Sequence, residues 1–284
     1  MKAHALHKLT ESLYGKPLLV NKQTFDSVTS YLNMRNAGMM LPMAPEQDEP
    51  TEAPDDLDDI NGIGVIEVVG PLTYKSTGWE AFCGGCSYES ILEQADSLLD
   101  AGATTIILNI DSGGGEAYGV FLASHELRKM CDEYGAQLIA YVDGTCASAA
   151  YALACVCDEV VANPYAEVGS IGVLICLTDQ SKALEDAGIR PVFISAGSQK
   201  IPYAEDMTFR PEFLADLQYK VDTLYEAFAE HVTSFTGLSV EDIKATEAKT
   251  YMAKDALAKG LVNKIMSNSE FVDYIVTKQG ASNA

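Results

Sequence analysis

Histidine is scarce in this chain of 284 residues, with only His4, His7, His125 and His231 present. Basic residues are also few. Nineteen Lys and Arg stand against 41 Asp and Glu, for a formal charge of −22. A surface that negative repels phosphate backbones and anionic membranes, so no nucleic-acid partner is expected. No run of 18 apolar residues occurs, which leaves no candidate membrane span. The opening stretch, residues 1–11, has no continuous apolar segment and so does not read as a signal peptide. The expected location is therefore cytoplasmic. The cysteines are seven, an odd number, which without a secretory signal points to reduced thiols. Cys155 and Cys157 have a one-residue gap, poor spacing for tetrahedral zinc, and no histidine is placed to help Cys83 and Cys86. Small buried residues are the better reading, with no metal and no cofactor expected.

What is present is a large apolar content, 48%, enough for one sizeable domain and an appendage. Residues 1–44 form an N-terminal extension with a weak helical pattern. Residues 45–60 are an acidic linker, with three prolines and eight acidic side chains between Pro45 and Asp59. The main domain is expected over 61–267, with a C-terminal tail at 268–284. Within the domain, strands at 63–69, 104–110 and 137–142 alternate with helices at 88–101 and 117–133. The 104–110 run is apolar throughout, as in strands buried on both faces. Further strands are read near 158–162, 171–177 and 191–195, with a helix at 179–187. The stripe Phe213, Leu214, Leu217, Val221, Leu224, Tyr225 and Phe228 marks a long amphipathic helix. The alternation predicts an α/β fold with a largely parallel sheet.

Three loops that follow strands carry the chemistry, because such loops gather on one edge of a parallel sheet. Asp111-Ser-Gly-Gly-Gly-Glu116 brings backbone N–H groups close to a guest and favours an oxyanion or phosphate, or is simply a tight turn. Its spacing fits neither the dinucleotide fingerprint nor the phosphate loop of nucleotide hydrolases. In Asp143-Gly-Thr-Cys-Ala-Ser-Ala-Ala-Tyr151, Ser148 is either a helix cap or a nucleophile whose following N–H serves as an oxyanion donor. Cys146 is a competing nucleophile with no histidine near it. In Ser195-Ala-Gly-Ser-Gln-Lys200, the lysine is a solvated loop residue unless it pairs with Ser148. The histidines lie in the extension or inside helices, so a Ser–Lys dyad is the arrangement left for an activated serine. The Lys200 amine would then have to be neutral, which burial favours.

The glycine-rich loop, Ala147-Ser-Ala-Ala-Tyr151, Glu167-Val-Gly-Ser-Ile-Gly-Val173 and the lysine loop occur in an order that resembles the signal-peptide peptidase A family of serine proteases. The resemblance spans roughly 61–267 and includes the closing segment 251–265. It implies a ClpP/crotonase-like spiral of ββα units and peptide-bond hydrolysis. Carried over residue by residue, Ser148 is the nucleophile and Lys200 the base. The N–H groups of Gly114 and Ala149 form the oxyanion hole, and Ser170 orients the lysine. Gly113 stands where proline is usual, and Ala149-Ala150 replace a common Gly-Gly pair. The membrane anchor of the cellular enzymes is missing. The extension around Ser12-Leu-Tyr-Gly-Lys-Pro-Leu-Leu-Val20 and the acidic linker look more like the tailed-phage branch, the capsid-assembly (prohead) proteases. That branch implies scaffold, portal or capsid proteins as substrates and a ring-shaped homo-oligomer, with no membrane partner. Two other readings stay open: a bacterial peptidase that degrades free peptides, and a crotonase-like acyl-CoA enzyme or non-catalytic shell component.

Overall fold

The computed structural model describes residues 15–36, 62–75 and 85–282. The linker expected at 45–60, together with His4, His7 and Cys83, lies outside the described residues. A short strand, β1 (Leu18–Val20), precedes helix α1 (Lys22–Asn36). Asn21 caps that helix by accepting the Thr24 amide at 2.8 Å. The main domain then runs through β2 (Ile63–Val69), β3 (Leu72–Thr73), β4 (Cys86–Ser87) and α2 (Tyr88–Asp100). It continues with β5 (Thr105–Ser112), β6 (Gly114–Glu116), α3 (Val120–Tyr134), β7 (Gln137–Ala147) and α4 (Ala149–Ala154). Next come β8 (Glu159–Ala162), β9 (Glu167–Gly169), α5 (Ser181–Asp186) and the long α6 (Pro211–Thr236). The chain closes with α7 (Val240–Lys244), β10 (Thr250–Met252), α8 (Ala253–Ala258), β11 (Lys264–Ile265) and α9 (Asn268–Ser282). The fold is thus mixed α/β with a mostly parallel sheet.

The larger sheet has the order β10-β9-β7-β5-β2, with β8 beside β7 and β11 beside β8. Strands β2, β5, β7, β8 and β9 pair in parallel, and only β10 runs antiparallel, against β9. β7 is long enough to serve two neighbours. Ile139–Val142 pairs with β8, and Thr145–Ala147 pairs with β9. Side chains on the apolar strands alternate between two cores, as a period of two demands. Ile106, Leu108, Ile110, Leu138, Ala140 and Val142 face the core shared with α2, α3 and α4. Ile107, Ile139 and Tyr141 face the other, where Phe271 stacks on Tyr141 at 4.4 Å between centroids. The stretch read from the sequence as a tail therefore forms α9, which buries Phe271 and Ile275.

Between Gly172 and Arg210 the chain departs from the expected strands. Residues 191–195 form no strand among the described residues, and Val192 and Ile194 are 82% and 98% exposed. Among the described residues, no neighbouring strand runs beside them. The arm is held by ring contacts instead, Phe193 to Tyr203, Tyr203 to Phe209, and Phe209 to Phe213 on α6. Residues 171–177 form no strand among the described residues, and pair with the N-terminal segment through an isolated bridge between Leu174 and Leu18. On α6 the burial also differs from the sequence reading. Only its last third is fully buried, at Phe228, Ala229, His231 and Val232, whereas the stripe before it is half-buried and Leu214 is exposed.

The buried ring of His231 fixes part of the acid stability. Its Nε2–H donates to the Ala152 carbonyl at 2.9 Å, and Nδ1 is buried without a partner. Phe121, Phe235 and His125 surround the ring. Burial, which outweighs the Ala152 hydrogen bond, pushes the His231 pKa down to about 4, and His125 adds to this. The unfolded chain therefore binds a proton below about pH 6.5 that the folded chain refuses until about pH 4. Stability is full above pH 6.5 and falls as the pH is lowered toward 4. Between pH 7.5 and 4.5 the expected loss is about 2–3 kcal/mol. Urea unfolding at the two pH values checks this, and His231→Gln should flatten the difference. Glu159 acts lower. Burial raises its pKa, but hydrogen bonds from Lys278, Lys264 and Tyr274 outweigh that and hold it at about 2, so its contribution is lost only below about pH 4.5.

Candidate active site

The carboxyl ends of β2, β5, β7 and β9 lie along one edge of the sheet, and hydrogen bonds tie their loops together. The Gly70 amide donates to the Asp111 carbonyl at 3.0 Å, and the Thr145 amide donates to Asp111 Oδ1 at 2.8 Å. A Cβ on Gly144 would stand 2.5 Å from the same carboxylate oxygen, so glycine lets the β7 loop approach it without displacing the Asp111 side chain. Ser112 Oγ donates to the Gly70 carbonyl at 2.6 Å. Ser112 also pairs with Cys146 across the β5–β7 ladder, after a register shift that begins at Ile110. The glycine loop is thereby placed beside Ala147 and the serine that follows it.

Ser148 sits at the sharp turn between β7 and α4, with φ 58° and ψ −116°. This is a strained conformation for a residue with a Cβ, costing on the order of 1–3 kcal/mol, and it persists only where the surroundings over-determine it. Here they do. The Ser148 amide donates to the Gly169 carbonyl at 2.8 Å, and its carbonyl accepts the Ala152 amide at 3.1 Å. Ser148 makes no side-chain cap hydrogen bond to α4. Its Oγ donates instead to the Gly172 carbonyl at 3.5 Å, and the residue is fully buried.

Gly114 adopts φ +96°, and the point where its Cβ would lie is 3.0 Å from the Ala149 nitrogen. Gly114 and Ala149 are thus side by side at the serine. The Gly114 amide is turned toward Ser112 Oγ at 3.2 Å. Because Ala147 pairs with Gly169, Ser148 and Ser170 leave adjacent strand ends together. Ser170 also has a positive φ, 54°, and its amide donates to the Lys249 carbonyl at 2.9 Å. Ser148, Gly114, Ala149 and Ser170 are therefore brought into one place. Lys200 is not among them in this chain. It lies exposed on the 189–210 arm, its amide bonded to the Gly197 carbonyl at 3.1 Å. The competing thiol, Cys146, is fully buried, and that burial pushes its pKa well above the usual range, which keeps it protonated and a poor nucleophile.

Sequence reasoning did not foresee the part of the N-terminal extension that reaches this edge. β1 pairs antiparallel with β6, Leu19 opposite Gly115. Gly113, where proline is usual in the resembling family, packs against the extension: a Cβ there would lie 2.0 Å from Thr24 Oγ1. A signal available in the sequence was the apolar run Leu18-Leu-Val20 between Pro17 and the capping Asn21.

A tensed serine beside a glycine loop, at the carboxyl edge of a parallel sheet covered on both faces, is the layout of the ClpP-like class of α/β folds. The chain belongs to peptidase family S49, whose model matches residues 130–281. It is 29% identical over 221 residues to the head-tail preconnector protein GP5 of Enterobacteria phage P21, covering 77% of this chain and 43% of that one. It is 29% identical over 219 residues to the capsid assembly protease C of Escherichia phage lambda, covering 75% of this chain and 48% of that one. The probable protease SohB of Buchnera aphidicola from Schlechtendalia chinensis is 28% identical over 171 residues, 59% of this chain and 54% of that one. The chain spans about half the length of these curated relatives. Among the described residues, no helix is long and apolar enough to cross a membrane.

Proposed function

We propose that the chain is a serine endopeptidase in which Ser148 attacks the peptide carbonyl and Lys200 takes and returns the proton. The observation that carries this is Ser148 itself, held in a strained turn with Gly114 and Ala149 beside it. Ser148 forms an acyl-enzyme, the same lysine protonates the leaving amine, and water completes hydrolysis. The N–H groups of Gly114 and Ala149 receive the oxyanion, and Ser170 orients the lysine. The substrates are capsid-assembly proteins such as scaffold, portal or head proteins, cut in the host cytoplasm or in the growing prohead. Similarity to the capsid assembly protease of phage lambda supports that choice.

The dyad closes between subunits of a homo-oligomer. Lys200 is exposed on an arm that also exposes Val192 and Ile194, and the first two-thirds of α6 carry a half-buried apolar stripe. A neighbour seated on these surfaces would deliver its lysine to the serine and shield both from water. Ser148→Ala and Lys200→Ala chains should each fail to cleave co-expressed scaffold protein. Mixed in equal amounts and allowed to reassemble, they should regain about one quarter of the parent rate, the share of sites that draw both intact residues. Full activity in Lys200→Ala would exclude the lysine as base. Two inactive variants that never complement would place the dyad within one subunit.

A further inference from the structure

The N-terminal strand lies where a peptide substrate must go. On one side, Leu18–Val20 pairs antiparallel with Gly114–Glu116. The ladder is extended by the Asn21 amide on the Gly113 carbonyl at 2.8 Å and the Ala117 amide on the Pro17 carbonyl at 3.4 Å. On the other side, Leu18 exchanges hydrogen bonds with Leu174, at 2.9 and 3.0 Å, and the Gly15 amide donates to the Cys176 carbonyl at 3.0 Å. The two flanking segments are the ones that frame the nucleophile: β6 begins at Gly114, and Leu174 lies two residues beyond Gly172, the acceptor of Ser148 Oγ. The position of a Cβ on Gly114 is 2.2 Å from the Leu19 carbonyl oxygen and 3.0 Å from the Ala149 nitrogen. The Leu19 main-chain carbonyl therefore lies against Gly114, beside the two residues expected to hold an oxyanion. Leu18 and Leu19 are buried at 3% and 0%, and Ser148 is likewise closed to solvent.

We infer that Gly15–Asn21 occupies this chain's own peptide-binding groove as a substrate-like strand, and that the groove accepts an extended peptide antiparallel to β6 with a leucine-sized aliphatic residue at the Leu19 position. The inference rests on the reading of Ser148 as a peptidase nucleophile and adds the binding mode and its occlusion. Main-chain hydrogen bonds on both edges supply binding that is indifferent to sequence, and the buried Leu19 position supplies selection. A protein substrate has to displace the strand, so the resting chain is self-occluded.

The test uses full-length chains carrying Ser148→Ala, so that binding is read without cleavage. The probe is a fluorescein-labelled peptide with the sequence of residues 13–23. Adding Leu18→Asp and Leu19→Asp, which places two charges in an apolar groove, should expel the strand and tighten probe binding at least about 10-fold by anisotropy, since the open fraction then approaches unity. Equal affinity in two chains that both melt cooperatively would overturn the proposal. A second pair of substitutions does not depend on the first one folding. Leu18→Cys with Leu174→Cys joins residues paired across the ladder. The oxidised chain should lose probe binding at least about 10-fold and regain it on reduction. Undiminished binding by the oxidised chain would overturn the inference as well. Should the peptidase reading alone be at fault, the expelled strand will still open the groove to the probe while the Ser148-intact chain cleaves nothing.

Discussion

A Ser148→Ala chain is expected to fold normally and to lose peptide cleavage by on the order of 10⁶-fold, the scale seen when a serine peptidase is deprived of its nucleophile. The fold survives because the turn is fixed by main-chain hydrogen bonds to Gly169 and from Ala152, which alanine keeps. Alanine also keeps the strain, since φ 58° is costly for any residue with a Cβ. Ser148→Gly separates the two effects. It should be as inactive as the alanine variant yet more stable than it by about 1 kcal/mol, the relief of the left-handed conformation less the entropy glycine adds to the unfolded chain. Thermal unfolding of the two variants together with a cleavage assay reads both quantities. A serine that merely caps α4 would behave differently: its loss would cost stability and leave cleavage untouched.

Gly115→Ala is expected to be the most damaging single methyl group in the glycine loop. Its Cβ would stand 1.9 Å from the Leu72 carbonyl oxygen and 2.6 Å from the Leu72 nitrogen, and Leu72 is the residue that bridges β3 to β6. Both clashes are with backbone, so no rotamer relieves them and β3 must move away. Leu72 is buried in the main core, so that movement opens a packed region. A loss of about 3 kcal/mol or more is expected by urea unfolding. Gly135→Ala provides the comparison. That glycine also has a positive φ, +67°, but no atom lies within 4 Å of its added Cβ. Its cost should be only about 1–2 kcal/mol, that of the conformation alone. Comparable losses at the two positions would mean that β3 is not held by the glycine loop.

The parallel core was legible because its signals are local. Apolar runs at 104–110 and 137–142, separated by a helix-period stretch, can hardly be read otherwise, and β5, β7 and α3 lie where that reading put them. The serine loop and glycine loop were legible for the same reason: both follow strands, and parallel pairing brings strand ends to one edge. Two things were not legible. One was the fate of 191–195, whose β-rich composition marks a segment that wants a neighbour. It finds none among the described residues, and a sequence does not say where a partner stands. The other was β1. Three apolar residues far upstream of the domain pair with Gly114–Glu116 across about a hundred intervening positions. No periodicity links them. Besides the short apolar run itself, the lack of side chains at Gly113 and Gly115 hinted that another segment comes close.

The last helix ends on the far side of the molecule from the serine. Gln279 Nε2 reaches Thr105 Oγ1 at 3.0 Å and Thr104 Oγ1 at 3.3 Å, at the beginning of β5, whereas the glycine loop leaves the end of that strand. The eight residues of β5 separate them, a rise of roughly 25 Å. A tag or solid support joined just after Ser282 would therefore hold the molecule by its base and leave the edge that carries Ser148 facing outward, so that immobilised chains can be offered large protein assemblies without steric hindrance from the attachment.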